Sequence, residues 1–254
     1  MIRQLVGREL VPPEPHFRWR GGEITRLEAF TDAVFAFAVT LLVVSLEVPR
    51  TYAELISAMK GFVAFAICFA LLAQIWRRHY LFSRRYGLQT QYAITLNSIL
   101  LFVVLFYVYP LKFLFTMAIG GLTGGVLAVD RRIFDIRESQ VTTLVAIYSV
   151  GFSAVSAVFA LLHRYAYSKR AELELNSYET VRTRSSVVHH AADVGLGVFV
   201  ALVAKLVPVA IGVYSALLFF LAAPIHSVIG SIYGKRARQA LERIESKPPV
   251  AASS

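Results

Sequence analysis

The chain has 254 residues, 57% of them hydrophobic and 17% charged, with a net charge of +10. A soluble domain sits nearer half apolar and a quarter charged, so this balance points to a membrane and away from a soluble nucleic-acid binder. The single cysteine, Cys68, lies within an apolar run, which excludes an intrachain disulfide and any metal site built on paired cysteines.

The N-terminal arm, residues 1–24, contains Pro and Arg and no short apolar core with a small-residue cleavage site, so no signal peptide is expected. A helix needs roughly 20 apolar residues to cross the hydrocarbon. Six stretches meet that requirement: about 27–48, 55–76, 90–119, 141–163, 187–207 and 209–230. The third is long enough to tilt or to extend beyond the bilayer. "GGLTGG" after it reads as a turn and not a phosphate loop, because no Gly-Lys-Ser/Thr follows. Pro208 suits the tight turn between the last two spans. The expected organisation is an all-α integral membrane protein with an arm (1–24), a six-helix unit (25–233) and a basic tail (234–254). Within the tail, "KRARQALERIESK" reads either as an amphipathic helix on anionic lipid or as a solvated helix.

Lys and Arg are distributed unevenly between the two sides that six spans define. The arm, the second and fourth loops and the tail carry 19, the opposite side carries 5, and Lys60 and Lys112 fall within spans. The positive-inside bias then places both termini in the cytoplasm of a cell with its basic segments against anionic headgroups, the protein being multi-pass in the plasma membrane.

The first span, "RLEAFTDAVFAFAVTLLVVSLEVP", carries Arg26, Glu28 and Asp32 in its opening turns. With about 100° per residue, Ala33, Phe37, Thr40, Leu41, Val44 and Val48 fall on one stripe, and Asp32 points away from it. A carboxylate there needs partners, and Trp76, His79 and Asn97 lie at a similar depth. Arg26 and Asp32 are too far round the helix for a simple pair and are expected to be tied through other helices. Asp32 reads as part of a polar knot, with a proton-coupling carboxylate and a pore-mouth ligand as alternatives. Arg26 reads as a member of that knot or as a positive-inside anchor.

Arg26, Phe30, Thr31 and Asp32, followed by "AVFAFAVTLL", resemble the R-x-x-x-F-S-D signature on the first helix of the transmembrane protein 175 family of potassium channels. "WRRHYLF" at 76–82 and "LNSILLF" at 96–102 are similar to segments of that family's second and third helices. The resemblance spans about the first 110 residues, with Thr31 in place of the usual Ser and Phe37 where bacterial members usually carry Ile. It implies a potassium-preferring channel, self-assembled as a homotetramer, in which the first helices line a central pore. Carried over by position, the constriction is implied at Phe37, Leu41 and Val44. Arg26, Phe30, Thr31 and Asp32, with Trp76, His79 and Asn97, are implied to hold the structure together and not to touch ions.

The residues themselves are compatible with that implication. The chain has no Thr-Val-Gly-Tyr-Gly loop, so a hydrophobic constriction that wets and dewets replaces a carbonyl-lined filter, with modest selectivity for potassium over sodium. Thr40, near the same face, is placed to offer a hydroxyl to a partly dehydrated ion. The competing reading is a proton- or ion-coupled secondary transporter using Asp32 and Arg26, against which stands the absence of an inverted repeat with broken helices. No nucleophile–base pair, H-E-x-x-H motif or catalytic carboxylate pair is present, so no enzyme is expected. No cofactor is expected beyond the permeant potassium ion. His189, His190 and Asp193 form a juxtamembrane cluster without evident third and fourth metal ligands. Gly195 and Gly197 suit close helix packing.

Overall fold

The computed structural model describes residues 16–44, 49–124, 126–127 and 137–246. Residues 1–15, Val48, the loop carrying Arg131 and Arg132, and the tail from residue 247 lie outside them, as does the side chain of Val44. The described residues are helical almost throughout: α1 (Arg26–Val44), α2 (Tyr52–Lys60), α3 (Phe62–Tyr86), α4 (Gln91–Leu122), α5 (Glu138–Ser168), α6 (Ser177–Leu206), a one-turn α7 (Val209–Gly212), a 3₁₀ stretch (Ser215–Leu221) and α8 (Ala222–Glu245).

Local chemistry sets the boundaries. Thr25 and Glu28 form a capping box at the start of α1: the Glu28 amide donates to Thr25 Oγ1 at 3.1 Å and the Thr25 amide donates to Glu28 Oε2 at 2.8 Å. Glu28 is therefore a helix-start residue. Asn176 and Glu179 cap α6 in the same reciprocal way. α3 ends at Gly87, whose left-handed φ of 58° closes the helix as its backbone N–H donates a hydrogen bond to Ser83 O.

Three helices depart from the expected bounds: α6 starts at Ser177, ten residues before the predicted 187, and the second and last spans differ as well. The second span is predicted at 55–76, but Gly61 breaks that stretch, leaving α2 apart and starting α3 at Phe62. α3 then continues to Tyr86, since its arginine-rich end remains amphipathic and buries His79, Phe82 and Tyr86. The last span, expected at 209–230, is instead a turn, a 3₁₀ stretch and α8. Ser215 Oγ donates to Gly212 O at 2.6 Å within that irregular passage. α8 then runs without interruption across Gly234 into the basic tail.

Five of the described helical segments are long and apolar enough to cross a membrane: 62–86, 91–108, 138–168, 177–206 and 209–245. α1 pairs with α3 and α4, α3 with α4, and α6 with α5 and α8, while the α4–α5 contact joins the two groups. The main core runs across this junction, from Phe35 and Ala38 of α1 through Leu72, Phe82 and Tyr86 of α3 to Leu100, Val104, Phe159 and Leu162. Lipid tails are as apolar as leucine, so close packing and internal hydrogen bonds, more than water exclusion, hold such helices together. Gly197 serves that packing, because a Cβ there would lie 2.2 Å from Ser153 Oγ and 2.8 Å from Ser149 O. Gly195 faces open space and does not.

The described part of the arm, 16–25, carries neither helix nor strand, yet it is docked on the bundle. Phe17 is buried, edge-on to Tyr86, and the amides of Arg20 and Gly21 both donate to Arg84 O at 3.0 Å. Arg84 Nη1 returns a bond to Gly22 O at 2.7 Å. This approach requires glycine at 21, where a Cβ would sit 2.7 Å from Ser83 O. Gly21→Val is expected to release the arm at a cost of about 1–3 kcal/mol from overpacking. Limited trypsin digestion should then cut faster at Arg18 and Arg20 while the helical bundle stays intact.

A candidate pore-lining helix and its anchors

α1 is covered on one side only. Thr31, Phe35, Ala38 and Leu42 are buried against α3 and α4. The opposite side, bearing Ala29, Phe30, Ala33, Ala36, Phe37, Thr40 and Val43, is exposed within the subunit, Phe30 at 58% and Phe37 at 55%. Taking Phe37 as origin and about 100° per residue, this face is centred roughly 50° away, on Ala33 and Thr40. Three alanines on it leave room for another backbone to approach closely. Thr40 Oγ1 donates to Ala36 O at 3.0 Å, which leaves its lone pairs pointing outward as acceptors.

The predicted constriction residues separate. Phe37 stands on the uncovered face, whereas Leu41 is half-buried at its edge and packs against the core. Phe30 shares the uncovered face, and Thr31 is buried on the opposite one with Oγ1 lacking a hydrogen-bond partner.

The polar anchors form two pairs instead of one knot. Trp76 Nε1 donates to Asp32 Oδ1 at 2.8 Å, fixing α1 to α3. One turn further along α3, His79 Nε2 and Asn97 Oδ1 are hydrogen-bonded at 2.9 Å, fully enclosed between α3 and α4. Both couplings join residues that the sequence places at one depth. Arg26 is exposed, and among the described residues of the subunit it has neither hydrogen bond nor ion pair to Asp32 or any other group. The relay that a coupled transporter would need between them is therefore not assembled within the subunit.

A third anchor escapes sequence reading. Glu179, 1% exposed, takes Arg20 Nη2 at 2.6 Å and Nη1 at 3.2 Å. It also accepts from the amides of Arg18 and Asn176 at 2.7 and 3.0 Å. The Arg20 guanidinium further donates to the carbonyls of Leu173, Glu174 and Arg18. Tyr86 Oη and Thr183 Oγ1, 2.8 Å apart, extend the contact between α3 and α6. Nothing in the sequence ties Glu179 to an arginine 159 residues earlier.

In the second helix group, Asp193 Oδ1 accepts from His226 Nε2 at 2.7 Å, and His189 stacks on the same ring at 5.0 Å. His226 is a member of this cluster that the sequence did not single out. Among the described residues, no three His, Cys, Asp or Glu side chains converge to hold a metal.

These features define an α-helical membrane protein whose first helix packs on α3 and α4 on one side, is held to α3 by the Trp76–Asp32 hydrogen bond, and is left largely apolar and uncovered on the other. The chain belongs to the TMEM175 family of potassium channels. The family described as "Endosomal/lysosomal potassium channel TMEM175" matches residues 26–107, which contain α1, α2, α3 and about the first half of α4. A potassium channel of Marivirga tractuosa is 39% identical over 243 residues, covering 93% of this chain and 98% of that protein. A potassium channel of Chamaesiphon minutus is 28% identical over 57% of this chain and 66% of its own length. The crystal structure of a variant of the potassium channel MtTMEM175, bound to a nanobody fusion, superimposes with a TM-score of 0.79 at 38% identity, covering 89% of this chain and all of that one. A crystal structure from Chamaesiphon minutus, of a homologue of the lysosomal potassium-selective channel TMEM175, is 23% identical and shares the fold at a TM-score of 0.51 over 80% of this chain and 96% of that chain.

Proposed function

We propose that this chain is one subunit of a homotetrameric, potassium-permeable channel in the plasma membrane, with α1 counted as a sixth span and both termini cytoplasmic. The observation that carries the reading is the uncovered face of α1, centred on Ala33 and Thr40 and carrying Phe37. The small residues on that face suit close approach of symmetry mates around an axis. Family membership supports the same arrangement.

In this arrangement four copies of Phe37, with the exposed edge of Leu41 and with Val44, form an apolar ring that passes ions only when wetted. Thr40, one turn beyond Phe37, supplies hydroxyl oxygens where an ion leaving bulk water needs ligands. Such a ring favours potassium over sodium modestly, since the larger ion gives up its hydration more readily. Asp32 and Trp76 keep α1 from rotating, so the apolar side stays on the axis. The potassium ion is the permeant species, and anionic lipid on the cytoplasmic side is the expected surroundings of the basic loops.

Purified protein in liposomes is expected to dissipate a potassium gradient with no ATP and no partner ion. Flux that requires a proton gradient would overturn the channel reading in favour of a coupled transporter.

A further inference from the structure

α8 runs into the basic tail as one unbroken helix, within a stretch, 209–245, that is long and apolar enough to span a bilayer. Its buried side carries Tyr233, Ala237 and Ala240, and the helix packs on α6. The apolar side of "KRARQALERIESK" is thus covered by protein, and the segment does not lie on a membrane by that side. The opposite side changes character along the helix. With about 100° per residue, Val228, Ser231, Ile232, Lys235 and Arg238 fall within roughly 60° of one line, and all five are exposed. Before Lys235 that line is largely apolar, with Val228 57% and Ile232 44% exposed. From Lys235 onward it is basic, and α8 carries no carboxylate until Glu242. The side chains of Lys235, Arg238 and Arg243 have neither hydrogen bond nor ion pair among the described residues, and Arg236 lies over the Tyr233 ring at 5.2 Å.

We propose that Lys235, Arg236 and Arg238 form a docking strip for the headgroups of anionic phospholipids. Acyl chains that cover Val228 and Ile232 end, one turn further on, at the level where these charges begin. The hydrocarbon is about 30 Å thick and the whole bilayer about 40–45 Å, which leaves roughly 5–8 Å of headgroup on each side. At about 1.5 Å per residue, Lys235 stands ~4–5 Å beyond Ile232 and Arg238 ~9 Å, a distance that a long side chain bending back makes up. Arg243 stands ~16 Å beyond, past the headgroups and next to Glu242, so it is no part of the strip. Guanidinium groups offer paired donors to phosphate oxygens, and the Lys235 ammonium adds a point charge. α8 packs on α6, in the other helix group from α1, so copies of the chain that meet along α1 leave this side to lipid. The assignment rests on the reading of 209–245 as a membrane span and is independent of ion permeation.

The test uses the full chain in liposomes, in a Cys68→Ser background with Ser231→Cys carrying a bimane fluorophore. Ser231 is exposed one turn before Lys235, and its hydroxyl donates within its own helix, to Val228 O at 2.9 Å. Phosphatidylglycerol and phosphatidylcholine, each with brominated acyl chains, are compared as quenchers. Phosphatidylglycerol should be preferred. Lys235→Gln and Arg238→Gln should each lower that preference about fivefold, the equivalent of the ~1 kcal/mol that one basic group gains at an anionic surface. Lys235→Arg should keep it, and Arg243→Gln should leave it unchanged. Equal quenching by the two lipids in the parent protein, or an equal loss on Arg243→Gln, would overturn the strip while leaving the span in place. Quenching by neither lipid would overturn both.

Discussion

Glu179→Ala is expected to destabilise the detergent-solubilised protein by about 3–5 kcal/mol, the usual consequence of leaving one partner of a buried ion pair uncompensated. The arginine side of the pair is 10% exposed and the carboxylate 1%, so neither recovers its hydration by a small movement. Removal of the carboxylate also strands the amides of Arg18 and Asn176. Glu179→Gln keeps the shape and an acceptor oxygen for those amides and should cost less than Ala. The thermal midpoint orders the three proteins as wild type, Gln, Ala. Trypsin cleavage at Arg20 should accelerate in the same order, because that guanidinium holds the arm. Equal midpoints for wild type and Ala would mean that the arm contributes nothing to the bundle.

Thr40→Val is expected to lower potassium flux on the order of tenfold, while Thr40→Ser keeps it near the wild-type level. Valine matches threonine in shape and removes only the hydroxyl, a contact worth about 1–1.5 kcal/mol per ion–oxygen encounter, with a tenfold change for each 1.4 kcal/mol. Phe37→Ala is expected to act in the opposite direction, raising flux and lowering the preference for potassium over sodium, since the apolar ring widens and wets. Leu41→Ala should differ from both. That side chain packs against the core, so lost stability outweighs its change in permeability. Potassium and sodium fluxes measured in liposomes with each variant separate these outcomes, and unchanged flux in Thr40→Val and Phe37→Ala together would remove the exposed face of α1 from the pore.

The charges at the start of the first span were the most informative part of the sequence, and their roles prove separable. Asp32 needed a partner, and depth pointed to Trp76, His79 and Asn97 alike; Trp76 meets it, while His79 and Asn97 bond to each other, a division that depth does not encode. Periodicity found the apolar stripe of α1 but centred it on Phe37. The actual centre lies nearer Ala33 and Thr40, because α3 and α4 cover Leu42 and partly cover Leu41, and which side neighbours cover is not written in one helix's period. The end of α3 was missed for a related reason: hydropathy windows stop at "RRHY", although Arg77 is exposed and Arg78 half-buried while His79, Phe82 and Tyr86 face the core. The docked arm was illegible outright. Its contacts join Arg20 to Glu179 and to the carbonyls of 173 and 174, and no local pattern encodes pairing over such a separation.

The account rests on copies of α1 facing one another across water, and thiol labelling of that face tests it most directly. In a Cys68→Ser background, cysteines at Ala33, Phe37 and Thr40 are introduced one at a time, with Phe69→Cys, exposed on α3, as the comparison. A charged, membrane-impermeant methanethiosulfonate added during potassium flux should block all three α1 variants and leave the Phe69 variant conducting. Flux that continues through fully labelled α1 variants, or labelling confined to lipid-soluble reagents, would contradict it.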